Sequence, residues 1–413
     1  MKKSRINLIT ISVLMILTFI FIGSFIVEAQ EKEITIVYVL QKEWMDQAKE
    51  FTEKTGIKVN YLDTPFTDLK NRCLAYFMAG STDIDVIALG TDSAAEFGDR
   101  GFLTPLKQFV KDGDLDGLSD ASLQNLSWNG ELYGLPQYIW PWQLYYNREI
   151  LNKAGYTDPP KTWDEMIEMG KKIKELGYIP HMESWSGKFA AYAFYLRVYS
   201  EGGEVLNEEG KPAFNSEAGN RALKSMIKLY ETGTVTEITF EGGGTSDVGD
   251  RFVQGNVCFC LAAPHLYPQS IDKERSKVEG KIGVALIPGA KLRSASWVET
   301  SGCAIPSLSK RKELAWEYLK FVASAEQQKK IALSIGRVPS RFNVLHDKEV
   351  LDKYPHFSFV EEQLQYPHGM IKSPFTKQIV DILAQYVVSA IRGLMQPEQA
   401  LKQAELEILD LFQ

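Results

Sequence analysis

The chain has 413 residues, 45% of them hydrophobic and 24% charged, and a formal net charge of −7. An acidic balance without a basic run argues against nucleic acid and anionic membrane surfaces as partners, and favours a neutral or small one. Lys2, Lys3 and Arg5 precede an apolar stretch from Ile6 to Val27, closed by Val27-Glu28-Ala29. That order predicts a secretory signal peptide over residues 1–29, cut after Ala29. A retained anchor is the alternative, since about 20 apolar residues can span a bilayer. Removing the segment takes away three positive charges and one negative, moving the formal charge from −7 to −9. What remains is longer than one core usually spans, so two lobes are expected.

Glu33 to Leu40 (EITIVYVL) is a β-branched run that predicts a strand, and Glu43 to Thr55 follows at helical spacing through Trp44, Ala48 and Phe51. Gly56 ends that helix and Ile57 to Leu62 gives a second strand. Leu69 to Met78 is a second helix closed by Gly80, and Ile84 to Leu89 a third strand. Strand, helix, strand, helix, strand means parallel pairing with right-handed crossovers in an open α/β sheet. Ligands of such sheets sit beyond the carboxyl ends of the strands, which points to Gln41–Trp44, Thr64–Thr67 and Gly90–Ser93.

Asn129-Gly130 predicts a tight turn beside an emerging strand at Glu131-Leu132-Tyr133. Pro136 removes a backbone donor and argues for an edge or a crossing. Tyr138-Ile139-Trp140-Pro141-Trp142 is too stiff for a linker, and either packs a core or stacks a ligand. Helices are predicted over Trp163–Leu176, opened by a capping box of Thr162 with Glu165, and over Lys188–Tyr199 and Glu217–Glu231. Val257–Leu261 and Ile282–Ile287 read as short buried strands, and Gly242-Gly243-Gly244 as a flexible run. Glu313–Ala323, Ala325–Leu333, Phe375–Arg392 and Pro397–Phe412 are further helices. Cys258 and Cys260 lie two apart in a strand-like run while Cys73 and Cys303 are solitary, so buried free thiols are expected rather than disulfides or a zinc site.

Four segments in order resemble the extracellular solute-binding proteins of family 1, the sugar-capturing subunits of ABC importers related to maltose- and trehalose-binding proteins. They are DIDVIALGTDSAAEFGDRGFLTPL, GELYGLPQYIWPWQLYYNREILNKAGYTDPPKTWDE, FVQGNVCFCLAAP, and GCAIPSLSKRKELAWEYLKFVASAEQQ followed by GRVPSR. The resemblance implies a two-lobed α/β periplasmic-binding-protein fold of type II with three hinge crossings, near Tyr138–Trp142, Ser294–Thr300 and Arg337–Ser340. Its lobes would be residues 31–138 with 300–337 and 139–299 with 338–413. It implies a carbohydrate ligand, a membrane permease as partner, no cofactor or metal, a monomer, and a place in the periplasm or on the outer face of the cytoplasmic membrane. Many relatives carry an acid in the first hinge and Gly-Pro-Trp after the third motif. Trp140 and Ala263-Pro264-His265 stand there in this chain.

Carbohydrates show apolar C–H patches beside hydroxyl rims, so a site needs rings for the one and planar polar groups for the other. Tyr138, Trp140 and Trp142 are candidate stacking faces, with strand alternation implying that at least one is structural. Glu43 and Asp92 lie in post-strand loops, where they either bind hydroxyls or serve the first turn of a helix. Arg341 follows the third crossing, a fork of donors suited to adjacent hydroxyls, and ranks above Arg337. Trp185 and His265 fall in second-lobe loops, and Trp297 and Glu299 at the second crossing; core packing is the alternative for each tryptophan. An exported glycoside hydrolase needs two carboxylates across the scissile bond, and Glu43 with Asp92 is a candidate pair. A binder of a non-sugar solute is the third reading.

Overall fold

The computed structural model describes residues 32–39, 41–65, 68–241, 244–367 and 369–413. The expected signal peptide, Leu40, Phe66 and Thr67 of the second expected loop, and Gly242-Gly243 lie outside the described residues.

The strands are β1 (Glu33–Tyr38), β2 (Lys58–Asp63), β3 (Val86–Gly90), β4 (Ser127–Trp128), β5 (Glu131–Leu132), β6 (Gly134–Pro141), β7 (Gln143–Asn147), β8 (Ile179–Met182), β9 (Val257–Ala262), β10 (Ile282–Ala285), β11 (Val298–Ala304) and β12 (Val338–Pro339). The helices that frame the site are α1 (Lys42–Thr55), α2 (Leu69–Met78), α3 (Thr91–Asp99), α4 (Trp163–Glu175), α5 (Lys188–Ser200), α6 (Glu217–Glu231), α7 (Lys312–Val322), α8 (Ala325–Ile335), α9 (Thr376–Ile391) and α10 (Pro397–Asp410). β1 pairs in parallel with both β2 and β3, as the alternation of strands and helices requires. Alternate side chains of β1 feed opposite cores: Ile34, Ile36 and Tyr38 pack with Trp44 and Phe51 of α1, and Val37 with Leu69 and Cys73 of α2. Gly56 closes α1 at φ +71°, a left-handed conformation that glycine adopts without strain.

Two sheets carry the molecule, one in the order β12-β6-β11-β3-β1-β2 and the other β10-β7-β9-β8. The chain passes from the first to the second at Trp142 and returns between β10 and β11. After β12, Val344, Leu345, Val350, Tyr354 and Phe357 pack against Ile139, Val298 and Val338 of the crossing strands. α9 and α10 then join the second lobe, where Leu383, Val387, Leu401 and Ile408 share a core with Leu223 and Met226 of α6. The result is a two-lobed fold with three crossings. Trp142 N–H donates to the Trp297 carbonyl (3.0 Å) and Ser296 Oγ to the Trp142 carbonyl (3.0 Å), tying the first two crossings together.

Pro136 lies in β6, the strand of the first crossing, at a position that β12 does not reach, which fits the expected edge or crossing, and the ladder is built around it. Pro136 opposes Gly302 and Tyr138 opposes Ser301, so Gln137 is an extra residue, a bulge. β12 reaches only Ile139 and Tyr138, leaving the Pro136 carbonyl to accept from Gln328 Nε2 (3.2 Å) and Ser340 Oγ (3.2 Å). The second lobe holds a buried ion pair that the sequence did not reveal. Arg197 of α5 donates to both oxygens of Glu183, and His181 Nε2 lies 3.2 Å from Glu183 Oε1. Burial alone would raise the Glu183 carboxyl, but Arg197 and His181 hold it down at about 2. All four cysteines are free and buried.

Candidate functional site

Tyr138 and Trp140, two apart within β6, share one face of the strand, whereas Trp142 lies past its end and turns into the second-lobe core, so that one of the three rings is structural. β11 supplies the facing column: Tyr138 pairs with Ser301 and Trp140 with Glu299. Tyr138 stacks on Trp44 (centroids 5.7 Å apart, 17°) and meets the Trp140 edge at 5.5 Å. Trp140 is only partly buried; its Nε1–H donates to Ser301 Oγ (3.3 Å), and His265 meets its ring at 6.0 Å. The Arg337 guanidinium lies 4.2 Å from the Trp140 ring and 5.6 Å from that of Tyr138.

Asp92 and Glu299 converge where β3 ends. A Cβ on Gly90 would stand 3.0 Å from Asp92 Oδ1 and 3.2 Å from Glu299 Oε1, so the missing side chain is what admits both carboxylates. The loop is pinned to β11 from behind: Thr300 N–H donates to Thr91 Oγ1 (2.9 Å) and Asn125 Nδ2 to Thr300 Oγ1 (3.0 Å). Burial, and next the charge of Asp92, push the Glu299 carboxyl up to about 7, with Lys188 of the other lobe pulling the opposite way. Glu299 is thus a mixed donor and acceptor near neutral pH, a useful property against hydroxyl groups.

Of the expected residues, Tyr138, Trp140, His265, Asp92 and Glu299 come together. Trp142 and Trp297 pack into the second-lobe core: Trp297 stacks on Tyr192 (4.5 Å) and Trp142 on Phe189 (6.2 Å), and each tryptophan is at most 5% exposed. Trp185 is buried against Phe240. Packing is the role in which the structure places these three. Glu43 sits in the first turn of α1, where its charge suits the helix terminus. Arg341 is spent on backbone, donating from Nε to the Ala323 carbonyl (2.6 Å) and from Nη1 to that of Asp116. Of the two arginines it is Arg337 that stands beside Trp140, because it precedes Val338, the partner of Ile139. Trp44, at the end of the expected Gln41–Trp44 loop and in the helical spacing of α1, is buried in the first-lobe core beneath Tyr138. A cavity of about 690 Å³ lies elsewhere, lined by Trp128, Asn129, Tyr199, Glu208 and Lys372 among others.

Two lobes, three crossings and a ring-lined, carboxylate-flanked row at the crossings define a two-lobed ligand-binding protein. The chain belongs to the bacterial extracellular solute-binding proteins, whose family model matches residues 39–329. It is similar to the maltose-bound MalE3 of T. maritima, at TM-score 0.81 and 27% identity over 92% of this chain and 99% of that one. A binding protein of Brucella abortus is 27% identical over 361 residues, 85% of each chain. The arabinooligosaccharide-binding protein of Bacillus subtilis is 24% identical over 77% of this chain and 75% of its own.

Proposed function

We propose that this protein captures a di- or oligosaccharide outside the cytoplasm, between its two lobes, and hands it to an ABC permease. The observation that carries this reading is Trp140: a partly exposed ring at the crossing, flanked in register by Glu299 and by Arg337. A pyranose face can lie on that ring while its hydroxyls reach the polar neighbours. Two sugar-binding relatives, the maltose-bound MalE3 and the arabinooligosaccharide-binding protein, favour the same class. The lobes are taken as residues 31–138 with 300–337 and 139–299 with 338–413, boundaries that fall within the crossing strands. Ligand touching both lobes only when they close would shift the population toward the state the permease recognises.

The hydrolase reading needs two carboxylates on opposite sides of a scissile bond, whereas Asp92 and Glu299 lie together and Glu43 is on a separate helix terminus. A thermal-shift panel of mono-, di- and oligosaccharides tests the proposal, because a bound ligand raises apparent stability by mass action. A shift with one sugar class and no new reducing ends supports it. No shift with any sugar, or turnover, contradicts it.

A further inference from the structure

Arg337 differs from the other partly or fully buried arginines in how its charge is met. Arg197 is paired with Glu183, Arg311 with Asp85 and Arg221 with Glu201 and Glu217, while Arg341 and Arg293 donate to backbone carbonyls. The Arg337 side chain is half-buried, its Nε is buried without a hydrogen-bond partner, and among the described residues no carboxylate stands within ion-pair distance. Its guanidinium faces two rings, Trp140 at 4.2 Å and Tyr138 at 5.6 Å. A guanidinium over a ring uses its face for the ring and keeps the N–H donors of its plane for another group. Ring contact offsets part of the cost of withdrawing the charge from water, yet leaves the fork unfilled.

We propose that Arg337 is a ligand-reading residue and that the ligand carries a carboxylate, as in a uronate-bearing di- or oligosaccharide. A diol would use the donors but leave the charge unmet, whereas a carboxylate matches the fork with two parallel bonds and neutralises it. The site also sets a direction. Arg337 stands on one side of Trp140 and Glu299, with Asp92, on the other. A sugar ring on Trp140 therefore turns its carboxylate toward β12 and its neutral hydroxyls toward β11, since the reverse pose brings like charges together. This inference rests on the carbohydrate reading and narrows it.

Titration calorimetry decides it, using uronate-bearing oligosaccharides and their neutral hexose counterparts against the wild-type chain, Arg337→Gln and Arg337→Lys. The expected result is an acidic-sugar preference of about tenfold or more in the wild type. Arg337→Gln removes that preference by weakening the acidic sugars only, and Arg337→Lys restores part of it, because a point charge lacks the fork. Neutral sugars bound as tightly as acidic ones, or both weakened alike in Arg337→Gln, overturn the inference while leaving the carbohydrate reading intact. Binding of neither arm overturns both. If Arg337→Gln fails to fold, the wild-type preference and the Arg337→Lys series decide alone.

Discussion

Trp140 is the residue on which the proposed recognition turns, and that proposal follows from where a strand leaves one lobe for the other. It is partly exposed, bonded through Nε1 to Ser301, and shares its face with Tyr138 and Glu299. Trp140→Ala should cost about 2 kcal/mol of sugar binding, roughly thirtyfold in Kd, read well below a melting temperature that also falls because the ring packs against both lobe cores. Glu299 gives a pH signature. Its carboxyl is raised to about 7, by burial and then by Asp92, so between the ordinary carboxylate range and 7 the folded state holds a proton that the unfolded chain has released. Stability therefore falls as pH rises through that window, and Glu299→Gln should remove the loss. Melting curves should show the variant gaining on the wild type from pH 4.5 to 7 and the gap levelling above that; a constant gap contradicts the assignment. Gly90→Ala should weaken binding, because the added methyl would crowd both carboxylates. That Tyr138, Trp140, His265, Asp92 and Glu299 would lie near one another could be read from their places at strand ends and crossings. That the acids would share Gly90, and that Arg341 would be consumed by carbonyls, could not, because both depend on contacts between distant segments.

At the scale of elements, the third crossing is held by one buried amide. Gln328 of α8 accepts from the N–H groups of Ser340 (2.9 Å) and Arg341 (3.1 Å) and donates to the Pro136 and Ala323 carbonyls (3.2 and 3.1 Å). Gln328→Leu should lower stability by about 2–4 kcal/mol, since it strands several buried polar groups at once; denaturant midpoints measure it. Arg197→Met should cost about 3–5 kcal/mol by leaving Glu183 in the second-lobe core with His181 as its remaining side-chain partner. Local signals predicted these elements well where they are self-contained: Asn129 at φ +48° and Gly130 at φ +80° form the expected two-residue hairpin, and Thr162 caps α4 through Glu165 N–H (3.1 Å). They are silent where a distant partner decides, as at Arg341, whose donors are taken by the Ala323 and Asp116 carbonyls.

For the whole molecule, the account predicts a hinge. The two sheets are joined at Trp142, between β10 and β11, and after β12, so a rotation about the crossings moves α5 of one lobe relative to α3 of the other while Trp140 stays central. Saturating sugar should reduce the radius of gyration in solution scattering, and an unchanged radius would argue against closure. Length and the βαβαβ opening foretold the two lobes, but their interleaving needed the family resemblance, because segments that return after 150 residues leave no local trace. The most direct test of the central claim is calorimetric titration of the wild-type chain and Trp140→Ala with the oligosaccharide found in the thermal panel. Saturable one-site binding that weakens by more than tenfold in the variant is the predicted result. Equal affinities in the two proteins would contradict it.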